Sequence, residues 1–312
     1  MPRDRLEFLG ALTLAYSQDG CEVWACSAKQ WVRWRIADKS QGALVERLPF
    51  FPPTKNDGPV ASISTDRRAL VACRVDDRED RLVIRNLPDG SDRQVIAVRV
   101  TEPRFLCVSP DASWVATTVP KPKNRVRVWD TATGQERFIL ELANSAFCMA
   151  ATPDGRFIAV EQSDLGRGTN NRVMFFDSTT GEKSFSLPTK RRQVTSIIFT
   201  PDGRYMAAGF NGVVQIWDVQ QRQLVRMIEG FERVVTCMAY SPGGNLLAAG
   251  TQDGQVWVWS TQTGGRVQVL GTGTRGVRSL AFSPDGKVIA TATNKAPVAI
   301  WDVGPKPVKP EL

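Results

Sequence analysis

Histidine is absent from all 312 residues. Its absence excludes a Ser-His-Asp triad, an imidazole general base and any His-ligated metal. Long apolar runs are missing too, and none is of the length that crosses a bilayer. The opening stretch MPRDRLEFLGALTLAYSQDG lacks the apolar core and small-residue cleavage site of a signal peptide. A cytoplasmic location is the expectation from these two absences. Cysteine is sparse, with six residues and no Cys-x-x-Cys pair, so neither a disulfide framework nor a zinc ribbon is indicated. What is present, 42% hydrophobic and 23% charged residues, is the balance of a globular chain. The formal net charge of +8 points to acidic partners and is silent about fold.

The chain repeats itself. FTPDGRYMAAGFNGVVQIWD (199–218) returns as FSPDGKVIATATNKAPVAIWD (282–302). Ser or Thr followed by Pro-Asp-Gly, or a variant, recurs at Ser17, Ser64, Ser109, Thr152, Thr200, Ser241 and Ser283. The spacings are 47, 45, 43, 48, 41 and 42 residues, which defines seven units. Pro-Asp-Gly is a turn: Pro fixes φ and Gly supplies the freedom of a tight reversal. A short apolar run precedes it (VTSIIF, VRSLAF), and a small-residue strand follows (YMAAGF, VIATAT). A second turn then leads into an alternating strand: VRVWD (126–130), VMFFD (173–177), VQIWD (214–218), VWVWS (256–260) and VAIWD (298–302). VRWRI (32–36) and LVIRN (82–86) are looser versions. A fourth strand such as RFILEL completes each unit.

Four antiparallel strands per unit, closing on Trp-Asp, resemble the WD40 repeat family. The resemblance covers almost the whole chain and is strongest in units three to seven. It implies an all-β, seven-bladed β-propeller of four-stranded blades. RLEFLG (Arg5–Gly10) resembles a fourth strand and is expected to join the last blade and close the ring, which removes an unpaired edge. One propeller is thus expected over residues 1–303, with an extended Pro/Lys tail over 304–312. The regular SPDG turns are similar to those of bacterial WD40 proteins. The family's Gly-His pair is replaced by Gly230-Phe231 and Gly271-Thr272, so its histidine network cannot form, and apolar packing is expected to supply the rigidity.

Most chemical signals dissolve into the repeat. Cys148 and Cys237 stand four residues before their anchors, Cys107 two before, and Cys26 and Cys73 nine after, all slots for small residues in other units. GTGTRG (271–276) matches a dinucleotide fingerprint, but a strand and not a helix is expected next. Trp129, Trp217, Trp259 and Trp301 are repeat positions. The innermost strands carry no Asp, Glu, Asn or Gln, which weighs against a propeller hydrolase holding a metal in its channel; no cofactor or metal is expected. Charge is the signal that remains. Turns between blades and turns between second and third strands share one propeller face, and there the cations gather. Lys190, Arg191, Arg192, Arg233 and Arg275 lie on consecutive inter-blade turns, with Arg104, Lys123 and Lys295 on the same face. The resemblance implies a non-catalytic interaction scaffold, expected to be monomeric on its own, and the basic face adds an acidic protein partner. Nucleic acid is the alternative, weakened by Asp76, Asp77, Glu79, Asp80 and Asp253 on that face and by the lack of aromatics beside Lys190–Arg192.

Overall fold

The computed structural model describes residues 4–6, 13–26, 30–36, 43–49, 61–64, 66–67, 69–74, 80–86, 92–98, 105–119, 124–144, 146–162, 171–189, 193–274, 276–293 and 295–304. Every regular element among them is a strand, and all pairings are antiparallel. Units one to four each form a four-stranded sheet in sequence order. Unit three is typical, with strands Leu106–Val108, Trp114–Val119, Arg125–Asp130 and Glu136–Glu141. Units five and six are fused into one seven-stranded sheet, because Gln223–Tyr240 serves as the last strand of one and the first of the next. The repeat leads one to expect a turn there. Gly230, at φ 99°, bends the backbone at that point, with a register shift that pairs Asn211 with Val234 and Val213 with Glu229, but the ladder runs on through the bend. In unit seven, Asp4–Leu6 pairs with the last strand, with Asp4 opposite Ile300 and Leu6 opposite Val298. Residues 7–10, the rest of the expected closing strand, lie outside the described residues, as do residues 50–60 and 163–170 and the tail from 305.

The anchor turns explain why Ser or Thr, Asp and Gly recur together. In all seven units the anchor hydroxyl oxygen accepts the amide five residues on, at 2.9–3.0 Å. In five of them the same hydroxyl donates to the following Asp, as in Thr200 to Asp202 at 2.5 Å. The fourth turn residue is left-handed: Gly20, Gly155, Gly203, Gly244 and Gly286 have φ of 70–75°. Unit two places Arg67 there (φ 58°) and unit three Ala112 (φ 57°). A side chain in that conformation costs about 1 kcal/mol.

Aspartates of these turns, and of the turns that follow the third strands, make the fold's stability depend on pH. The Thr133 amide and the Arg137 guanidinium hold the Asp130 carboxyl down at about 2. Hydroxyls of Thr200 and Ser283 lower Asp202 and Asp285, and the Thr179 amide lowers Asp177. Each folded pKa lies below the unfolded value near 3.8. Their stabilisation is therefore complete above about pH 4 and is lost as pH falls from there towards about 2. With no histidine to titrate, the melting temperature is expected to stay level from pH 8 to 5 and drop steeply below 4. Calorimetric melts at pH 7, 5 and 3 check this; a drop between 7 and 5 would contradict it.

The core lies between sheets rather than within one. Leu82 and Ile84 of unit two pack on Val115 and Trp129 of unit three. Leu140 meets Ile158 and Phe176, and Phe175 and Leu187 meet Met206 and Trp217. Val214 meets Leu247 and Trp259, and Val256 and Leu270 meet Ile289 and Trp301. Trp24 and Cys26 of unit one pack on Leu70 of unit two. The first and last units also share a cluster, Leu14, Val23 and Trp34 with Val298 and Ile300. Burying each such side chain contributes about 1.5–3 kcal/mol.

Polar stitching supplements this packing without histidine. The Trp217 indole donates to Gln215, Trp301 to Thr291 and Trp24 to Glu22, at 2.9–3.2 Å. Thr195 donates to the Gly209 and Val235 carbonyls, and Thr236 to those of Gly250 and Val277, so one hydroxyl links two units each time.

Candidate partner-binding cavities

Two turn classes collect at two cavities. One, of about 800 Å³, is lined by Val234 and Gly276 from inter-unit connections and by Gln252, Asp253 and Lys295 from turns between second and third strands. The other, of about 700 Å³, is lined by the Pro-Asp-Gly turns at Pro153, Pro201, Pro242 and Pro284.

The first cavity is the positive one. Arg233 is exposed beside the buried anchors Phe231 and Val235, which fix its backbone. Arg278 is exposed next to Val277, which is fully buried. Lys295 rides a turn held by Thr293, whose hydroxyl accepts the Ala296 amide at 3.1 Å and bonds Thr274 at 3.0 Å. All three cations line the cavity. Asp253 is the carboxylate among them, and it already accepts the Thr251 hydroxyl. Gly254 makes the close approach of this rim feasible: at φ 88°, a Cβ there would lie 1.7 Å from the Thr274 carbonyl oxygen.

Of the residues expected on the basic face, Arg233 and Lys295 come together at this cavity. Lys190, Arg191, Arg192, Arg275, Arg104 and Lys123 lie outside the described residues. Arg278 is the residue the repeat obscured. It sits five before its anchor, where Thr195 and Thr236 make the inter-unit stitches, and a long cation in a stitching slot was the available signal.

Two rival sites behave as the repeat predicts. The segment after GTGTRG is a strand, Val277–Phe282. Burial pushes the thiols of Cys26, Cys107 and Cys237 up to about 12, so they stay protonated, while Cys21 is the exposed thiol among those described. Among the described residues no group of three or more Cys, Asp or Glu could hold a metal ion.

Residues 238–308 match the family model of the anaphase-promoting complex subunit 4 WD40 domain, and residues 181–218 that of the WD domain, G-beta repeat. Over 136 residues the chain is 33% identical to WD repeat-containing protein SL1-17 of Schistosoma mansoni, covering 43% of this chain and 42% of that one. It is 28% identical over 131 residues to Protein ROOT INITIATION DEFECTIVE 3 of Arabidopsis thaliana, covering 41% and 29%. It is 32% identical over 96 residues to Cell division cycle 20.1, cofactor of APC complex, of the same plant, covering 30% and 21%. The matches thus span less than half the length of each of these curated relatives. Sheet after sheet of one antiparallel pattern places the molecule among the repeat-built all-β proteins. With these matches, it is a WD40 repeat protein.

Proposed function

We propose that residues 1–303 form one seven-bladed propeller, closed where Asp4–Leu6 pairs with the last strand, and that it is a non-catalytic scaffold docking an acidic protein partner on its basic end. The observation that carries the proposal is the convergence of Arg233, Arg278 and Lys295 on one cavity of about 800 Å³ whose Asp253 is already bonded to Thr251. Clustered cations on a rigid support steer and orient acidic ligands. Lys190, Arg191, Arg192, Arg275, Arg104 and Lys123 extend the same surface on the strength of the sequence. A cofactor of a multiprotein complex among the relatives agrees with a docking role. A monomeric cytoplasmic chain with an extended tail over 304–312 belongs to the same proposal.

The test replaces Arg233, Arg278 and Lys295 with glutamate and compares capture of partners from native lysate with the wild type. Both proteins should melt alike, since all three side chains are exposed. The reversed variant should lose its partner by about tenfold or more. Equal capture by both would refute the assignment, and capture abolished by nuclease would replace the protein partner with nucleic acid.

A further inference from the structure

The cavity at the Pro-Asp-Gly end differs in chemistry from the basic one. Its walls are the innermost strands of units two to five, contributing Ile63, Leu106, Val108, Met149, Ile197 and Phe199. Those strands are the terminal members of their sheets, so each has one edge unpaired by its own sheet. A ligand in this cavity thus meets aliphatic side chains together with backbone donors and acceptors. Among the described residues the lip carries one cation, Arg67. It occupies the left-handed turn position that glycine fills in five other units. Its guanidinium is half-buried, and its hydrogen bond is a long one of 3.4 Å to the Ser17 carbonyl. The lip carboxylate, Asp66, accepts the Ser64 hydroxyl and forms no ion pair with Arg67. Burial disfavours the charged guanidinium, while the Tyr16 hydroxyl favours it. A strained, partly desolvated cation with no carboxylate partner among the described residues, set beside an apolar cavity, is the arrangement that a bound anion would complete.

We propose that this cavity receives an aliphatic peptide segment carrying a carboxylate, with the carboxylate on Arg67 and the aliphatic side chains against Leu106, Met149 and Ile197. A polypeptide is favoured over a free aliphatic acid because its amides find partners on the unpaired strand edges, and because about 700 Å³ accommodates several residues. The site lies at the opposite end from Arg233, Arg278 and Lys295 and stands independently of their role.

The probe is the pentapeptide Leu-Ala-Leu-Glu-Leu, capped at both ends, titrated calorimetrically into the full chain beside its Gln counterpart. Wild type should bind the Glu peptide one to one and about tenfold more tightly than the Gln peptide. Arg67→Gly should bind both equally, and should melt at the same temperature or higher, because glycine relieves the left-handed backbone. That melting result separates a lost ligand contact from a lost fold. The variant reversed at Arg233, Arg278 and Lys295 should bind the Glu peptide as wild type does. No saturable binding, no preference for Glu over Gln, or retention of the preference in Arg67→Gly would each overturn the proposal. Octanoate competing as strongly as the peptide would overturn the choice of a polypeptide ligand.

Discussion

Phe175→Ala should cost about 3–5 kcal/mol, the range for emptying a large aromatic from a packed core. Phe175 is fully buried at the junction of units four and five. Its ring stacks on Phe185 at 4.2 Å and takes edge contacts from Phe157 at 6.3 Å and Phe199 at 6.1 Å. The Arg222 guanidinium lies over the Phe185 ring at 4.6 Å. Truncating the central ring leaves a void lined by three aromatics that cannot all collapse into it, and it also removes pairings worth about 0.5–1.5 kcal/mol each. Phe175→Leu keeps most of the volume and should cost less, about 1–2 kcal/mol. Urea unfolding checks both: the midpoint should fall in the order wild type, Leu, Ala with the slope unchanged. A loss below about 1 kcal/mol for Ala would mean that the four rings do not form a packed cluster.

That cluster also shows what a repeat makes legible. Phe176 stands in the Trp place of VMFFD, so its burial could be read by register. The anchor turns were legible for the same reason. Ser or Thr, Asp and Gly each perform one local task there, and local tasks leave a sequence signature. The aromatic stack of Phe175 was not legible, because it depends on which rings neighbouring units bring to a shared interface. The strand Gln223–Tyr240 was partly legible: register demanded a reversal, and the left-handed Gly230 bends the backbone there, while the ladder continues through the bend. The cavities were half legible. Sorting turns by face led to Arg233 and Lys295. Arg278 and Arg67 are departures from the repeat, one in a stitching slot and one in a glycine slot. A reading built on register passes over such departures, and at these two slots they put cations beside cavities.

Removing residues 1–10 should lower the melting temperature by roughly 5–10 °C, from a loss of about 3 kcal/mol. The place where Asp4–Leu6 pairs sets the size of the effect. It is the outermost strand of a sheet whose other three strands come from the far end of the chain, with Arg5 opposite Ala299. Deleting it exposes the backbone edge of Val298–Asp302, and each lost ladder bond costs about 1 kcal/mol. The interface between the first and last units would remain, since Leu14 and Trp34 still pack on Val298 and Ile300. The expected variant is therefore folded but weakened, with a new sheet edge that invites association between copies. Calorimetry together with light scattering reads both effects. Supplying residues 1–10 as a separate peptide should restore part of the lost stability, because pairing in trans satisfies the same edge. Unchanged melting on deletion would show that this strand does not hold the first and last units together.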